Sequence, residues 1–284
     1  MDLFDVWPTL PGYGQEILLD TRLLTDRATR KVHFVQTPQG KHVLKLDATA
    51  GIFEAEVQAV KHLQALGFPV QEVLLVQAGP PAVLLMSWWE GEAISHLGLA
   101  ATLETLSRQL QRLHQQPGWL PPPQGLIWAD WMQGWLNHAL FYWKSTGQAP
   151  ERAADQVNLW FAKLVPLMQH RGQQLILFDG KPEHFLETPA GEVVWIDVAE
   201  LRSGDPLMDL SVLEVNHPPL ATSLRQHHPA LDSTEQQLFR FYVFLRALAA
   251  AEWNEKELGG ADRERFLQLA ACHFAAGQQE DSGF

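Results

Sequence analysis

A single cysteine, Cys272, stands in 284 residues, which excludes a disulfide framework and a thiolate metal centre. Its setting in "LQLAACHFA" predicts a small core residue. Basic residues are also few: 21 Lys and Arg against 33 Asp and Glu leave a formal charge of −12. A phosphate backbone or an anionic membrane surface demands a basic footprint, so no nucleic-acid partner is expected, and a cationic or neutral small substrate suits the chain better. No apolar run is long enough to span a bilayer, and "MDLFDVWPTL" offers neither a basic nor an apolar leader region; a cytoplasmic protein without a membrane span is the expectation. A G-x-S-x-G elbow, an H-E-x-x-H helix and a G-x-x-x-x-G-K-[ST] loop are all missing.

What is present is an ordinary globular composition, 46% hydrophobic and 19% charged, enough for a real core in one or two domains. Residues 31–46, "KVHFVQTPQGKHVLKL", alternate on either side of turn chemistry and predict an antiparallel hairpin. Residues 52–66 carry a helical stripe that stops at Gly67. "VQEVLLV" and "AVLLMSW" flank Gly79-Pro80-Pro81 as two further strands. After "WWEGEA" long helical patterns take over at 101–113, 131–143, 154–167, 235–253 and 262–276. "WLPPPQG" and "STGQAP" read as short loops, and "RQHHP" and "VNHPP" as loops bearing exposed histidines. The tail, "GQQEDSGF", is expected to fray.

Within the helical part lies "LILFDGKPEHFLETPAGEVVWIDVAELRSGDPLMDL", residues 175–210, where two apolar runs each end on an aspartate. Thr188-Pro189-Ala190-Gly191 is a turn, so residues whose numbers sum to roughly 380 pair across it, within about one residue of slip. That register sets His184 beside Asp197. Asp179 enters the same end through a loop broken by Gly180 and Pro182, with Lys181 between. Two carboxylates so placed are costly unless a cation neutralises them, which points to a bound metal. The competing structural role for each aspartate is to end a strand and accept turn N–H bonds.

The spacing from Asp179 to His184 resembles the D-x-K-P-x-N catalytic loop of the protein-kinase-like fold, with His184 in the asparagine's place. Asp197 then resembles the metal-binding aspartate of D-F-G. "GDPLMDL", residues 204–210, resembles the G-D-P-x-x-D-L segment of the aminoglycoside phosphotransferase and choline-kinase-like families, "ALGFPV" their G-V-P-V-P, and "LSRQLQRLHQQP" their L-A-x-L-H helix. Lys45 in "HVLK" occupies the place of the V-A-I-K lysine. Glu56 falls on the apolar stripe with Ile52, Ala59, Leu63 and Leu66, where a carboxylate needs a partner; Lys45 is the candidate, and Glu54 points away.

The resemblance implies an α+β, two-lobed protein-kinase-like fold: a small antiparallel-sheet lobe over residues 1–90 and a large helical lobe over 91–284, with a substrate-binding insertion at about 117–174. It implies an ATP-dependent phosphotransferase using Mg²⁺, or Mn²⁺, on a hydroxyl of a small molecule. Lys45, held by Glu56, would grip the nucleotide phosphates, and backbone groups of Leu84, Leu85, Met86 and Ser87 would face adenine. His184 and Asp197 would hold the metal; Asp179 would act as base and Lys181 would neutralise charge. Asp205 and Pro206 read as a helix start, Asp209 as a brace of the catalytic loop, and most of Trp119, Trp128, Trp131, Trp135 and Trp143 as core, with one or two near the acceptor. The chain departs from the family pattern at Leu177, where a histidine brace is usual, and in the glycine-free "LLTDRATRKVHFV". His184 itself is similar to the lipopolysaccharide-core sugar kinases, one alternative reading; a catalytically inactive binding module is the other.

Overall fold

The computed structural model describes residues 2–94, 100–119, 127–227 and 229–281. In chain order these form α1 (Leu3–Val6), a 3₁₀ turn at Trp7–Thr9, β1 (Asp20–Asp26), β2 (Arg30–Thr37), β3 (Gly40–Asp47), α2 (Glu54–Ala65), β4 (Val73–Gln77), β5 (Ala82–Ser87) and β6 (Glu92–Ala93). There follow α3 (Ala100–His114), α4 (Trp128–Ser145), α5 (Ala153–Arg171), β7 (Gln174–Ile176), a 3₁₀ turn at Pro182–His184, β8 (Phe185–Glu187) and β9 (Val193–Trp195). The chain continues through β10 (Arg202–Gly204), α6 (Pro206–Asn216), α7 (Pro218–Arg225), α8 (Ser233–Glu257) and α9 (Arg263–Asp281). No helix among the described residues is long and apolar enough to cross a membrane.

Two compact units emerge, one of Met1–Ala93 with His184–Glu200 and one of Ile94–Glu183 with Leu201–Phe284. In the first, a five-stranded sheet has the order β1-β2-β3-β5-β4, and all four neighbour pairs are antiparallel. Every residue of β3 from His42 to Asp47 is buried, because the strand alternates between two covered faces. Leu44 and Leu46 join Val35, Val83 and Leu85 under the N-terminal segment of Leu3, Val6, Trp7 and Leu10. Lys45 points the other way and meets Glu56 of α2. That helix ends at Gly67, whose φ of 73° suits the left-handed residue after a helix. Ile52 does not belong to its stripe: it precedes the helix and is exposed, and Phe53 is the residue buried there.

Segment 184–200 belongs with this unit because β8 pairs with β6 as well as with β9. Trp195 donates its backbone N–H to the Pro69 carbonyl at 2.8 Å and stacks on Phe68 with ring centroids 4.8 Å apart. The β8–β9 register, Phe185 with Trp195 and Leu186 with Val194, sums to 380, as the turn at Thr188 predicts.

The second unit is helical around one core, in which Trp128, Trp143, Trp160, Phe241 and Phe244 are buried. Asp232 and Glu235 form a reciprocal capping box at the start of α8. His217, expected in a loop, instead caps α7 by accepting the Leu220 N–H through Nδ1. Cys272 is exposed rather than in the core. The buried stripe of α9 runs through Phe266, Leu267, Ala270 and Phe274, and position 272 falls on the opposite side. The tail is helical as far as Asp281. Residues 120–126 of the proline-rich loop and insertion, His228, and residues 282–284 lie outside the described residues.

Candidate active site

In the first unit the ammonium of Lys45 is the hub. Its Nζ donates to Glu56 Oε1 at 2.6 Å and to Asp197 Oδ1 at 2.9 Å. The Lys45 and Glu56 side chains are 9% and 3% exposed, whereas that of Asp197 is 48% exposed. Burial alone would lower the Lys45 pKa, but the Glu56 and Asp197 carboxylates outweigh it and raise the pKa above its usual value. Burial pushes the Asp197 carboxyl up; Lys45 and His184 outweigh that and hold it down at about 2. Asp197 is therefore a carboxylate at any physiological pH.

Asp197 follows β9 by two residues and has a φ of 54°. Aspartate is one of the few non-glycine residues that enters this left-handed region readily. The backbone bond from Ile196 N–H to the His184 carbonyl, 2.9 Å, closes the open end of the hairpin, and His184 Nε2 lies 3.7 Å from Asp197 Oδ2. The second oxygen of Asp197 is thus left toward the imidazole while the first is held by Lys45. Two donors at that spacing fit one metal ion, since opposite ligands of an ion with bonds of about 2.1 Å are at most about 4.2 Å apart. No group of three or more His, Cys, Asp or Glu able to hold a metal occurs among the described residues. Phosphate and water oxygens would have to complete the shell, as is usual for magnesium.

In the second unit, Asp179 has each carboxylate oxygen on a different cation: Oδ1 is 3.0 Å from Arg246 Nη2 and Oδ2 is 2.9 Å from Lys181 Nζ. The preceding loop hangs on Asp209 of α6, which is 1% exposed. Asp209 accepts the N–H of Phe178 at 2.7 Å and of Leu177 at 3.0 Å, and contacts His114 Nε2 at 2.9 Å. The missing histidine at position 177 is therefore no gap in the bracing, because Asp209 holds that position through its backbone. Phe178 has a φ of 65°, unusual for a bulky residue, and the two Asp209 bonds fix its neighbourhood. Asp205 caps α6 and accepts from Arg171 and Tyr242. It is structural, as its place before Pro206 implies.

The geometry of β5 corrects the expectation for residues 84–87. This strand lies between β3 and β4, so the ladders occupy the backbone groups of Leu84, Leu85 and Met86. Ser87 donates its N–H to the Glu72 carbonyl, and its own carbonyl accepts Gln71 Nε2 at 2.9 Å. The side chains of Leu84 and Met86 are themselves buried. Leu84 pairs with Lys45 and Met86 with Val43, so both share the Lys45 face, while Leu85 faces the opposite core.

Of the insertion tryptophans, Trp128 and Trp143 are core, as predicted. Trp131 and Trp135 are partly buried and pack their rings 5.1 and 5.7 Å from that of Phe178. The sequence reading missed His114, Arg202 and Arg246. His114 lay within the quoted "RLHQQP"; the two arginines carry no local signal.

A profile of the phosphotransferase enzyme family matches residues 20–228. Among solved structures, a thermostable mutant of aminoglycoside phosphotransferase APH(4)-Ia in apo form aligns with a TM-score of 0.73 at 17% identity, over 92% of this chain and 95% of that one. A ternary complex of a further mutant with AMP-PNP and hygromycin B gives 0.71 at 16%, over 92% and 95%. LicA in complex with AMP gives 0.63 at 15%, over 93% of each chain. No curated protein matches the sequence. The structural likenesses establish a protein-kinase-like fold, and the profile spans most of the chain: it belongs to the phosphotransferase enzyme family.

Proposed function

We propose that the protein transfers the γ-phosphoryl group of ATP to a hydroxyl of a small molecule. The observation that carries this reading is the buried Lys45–Glu56 pair at 2.6 Å with Asp197 on the same ammonium. A lysine held by a carboxylate behind it and sharing its charge with a half-exposed aspartate is positioned to bind polyphosphate, and that is chiefly what phosphoryl transfer asks of a protein. The nucleotide supplies the phosphoryl group, and magnesium or manganese supplies positive charge against its oxygens.

In this reading Lys45 binds the α and β phosphates and Glu56 keeps it extended. Asp197 and His184 hold the metal. The buried Leu84 and Met86 side chains back the Lys45 face, beneath the surface that the base would touch. Asp179 orients the acceptor hydroxyl and takes its proton as the new O–P bond forms and the bond to the β-phosphate oxygen breaks. Lys181 neutralises charge on the transferring group.

The test is to incubate the protein with ATP, Mg²⁺ and a panel of hydroxyl compounds and follow ADP and phosphorylated product by mass spectrometry. Wild type is expected to form product. Asp179→Asn is expected to lose roughly 10²–10⁴-fold in rate, the usual worth of a positioned base. Product formation by Asp179→Asn at the wild-type rate, or no ADP from wild type with any acceptor, contradicts the reading.

A further inference from the structure

The surroundings of Asp179 hold more positive charge than the transferring phosphoryl group calls for. Arg246 comes from α8, 67 residues along the chain, and its side chain is only 13% exposed. One edge of its guanidinium is fixed by Asp179. Its carbon centre also lies 5.4 Å from the Phe178 ring centroid and 5.6 Å from that of Trp135. Arg202, from β10, approaches the same Phe178 ring at 4.3 Å and Trp131 at 5.5 Å. Lys181 completes the set at 2.9 Å from the second Asp179 oxygen. Arg246 thus shares the Asp179 carboxylate with Lys181 and the Phe178 ring with Arg202.

Any acceptor whose hydroxyl reaches Asp179 must come close to Arg246. A guanidinium has five donors in a fixed fork, and the bond to Asp179 uses one of its edges. A planar cation fixed against rings is a good receptor for a carboxylate or phosphate. A polycation such as an aminoglycoside, protonated near neutral pH, would be repelled. Trp131 and Trp135, with tilted rings 5.5 Å apart, offer flat apolar surface for a carbon skeleton.

We propose that the acceptor is an anion: a hydroxyl compound that also carries a carboxylate or phosphate group, bound by Arg246 and Arg202 beside Asp179, with its carbon skeleton against Trp131 and Trp135. This rests on the phosphotransferase reading above and names its substrate class. The overall charge of −12 does not oppose it, because contacts within a few ångströms outweigh charges beyond a screening length of about 8 Å.

The test uses five probes: glycerate and glycerol 3-phosphate as anions, glycerol as neutral, choline and hygromycin B as cations. Binding is read by quenching of tryptophan fluorescence with ADP and Mg²⁺ present, and turnover by ADP release from ATP. The anionic probes are expected to give saturable quenching, with glycerate against glycerol 3-phosphate separating carboxylate from phosphate recognition. Arg246→Gln is expected to weaken that binding at least tenfold and Arg246→Lys less. Equal or better binding of glycerol or the cations, no response to either anion, or affinities within twofold of wild type in Arg246→Gln would overturn the proposal. If Arg246→Gln does not fold, as judged by its melting temperature, Arg202→Gln carries the same criteria. An ADP–Mg²⁺ thermal shift separates the two readings. A shift with the anions rejected sinks only the acceptor class; no shift sinks the phosphotransferase reading and the acceptor class with it.

Discussion

Lys45 and Glu56 meet at 2.6 Å where both side chains are less than a tenth exposed. Removing one partner of such a pair strands a buried charge, whereas replacing both with apolar groups of similar size is often neutral. Glu56→Leu is expected to cost about 3 kcal/mol, toward the low end for buried pairs because Lys45 keeps Asp197. Lys45→Met should cost about 4 kcal/mol on the same grounds. The double variant should regain at least about 2 kcal/mol over the sum of the singles. Urea denaturation measures all three. Strict additivity would mean the pair is not coupled, and nucleotide binding should be lost in the double variant even where stability returns.

The Asp197 carboxyl gives a pH signature. Its folded pKa of about 2 lies below the ordinary carboxyl value of 3.8, so the stability it contributes is present above that unfolded value and is lost as pH falls through about 2. Asparagine also tolerates the left-handed φ, which makes Asp197→Asn a clean comparison. The melting-temperature gap between wild type and Asp197→Asn should narrow steadily from pH 5 to pH 2. Lys45, raised above 10.5, behaves oppositely: its contribution is complete below 10.5 and is lost as pH rises through the folded value. A gap that widens toward acid contradicts the assignment.

Asp209 accepts two backbone N–H groups and contacts His114. Asp209→Asn keeps the shape but has too few acceptor sites, leaving one buried donor unsatisfied at a cost of ~1–3 kcal/mol. Turnover should fall while the ADP–Mg²⁺ thermal shift stays near wild type, because the Leu177–Phe178 backbone positions Asp179 and not Lys45. Loss of nucleotide binding in this variant would show that its effect is global.

His184 is predicted to set the metal preference. Imidazole is a poorer ligand for magnesium than an oxygen donor, so wild type should be activated relatively better by Mn²⁺, and His184→Asn should raise the ratio of Mg²⁺-supported to Mn²⁺-supported ADP release. An unchanged ratio would remove His184 from the metal site.

The parts of this site that were readable in sequence are those with a local constraint. The turn at Thr188 fixes which residues pair, so the placement of His184 beside Asp197 follows from counting. A carboxylate on an apolar helical stripe demands a cation, so Glu56 announces itself although Ile52 lies off that stripe. Arg246 and Arg202 could not be read, because the contacts of Arg246 with Asp179 and of both with Phe178 cross dozens of residues and leave no period or motif. Backbone roles for residues 84–87 fail because strand position in a sheet decides which groups are free, and strand order is not legible in the sequence. Cys272 is hard to place for the reverse reason: "LAACHFA" is apolar but for His273, and only the stripe from Phe266 to Phe274 says which side is inward.

The central claim, one phosphoryl-transfer site built on Lys45 and Asp197, is tested most directly by calorimetric titration of AMP-PNP with Mg²⁺ into wild type, Lys45→Met and Asp197→Asn. The prediction is one metal-dependent site in wild type, weakened at least tenfold in each variant. No heat of binding in wild type, or equal affinity in all three proteins, would contradict it.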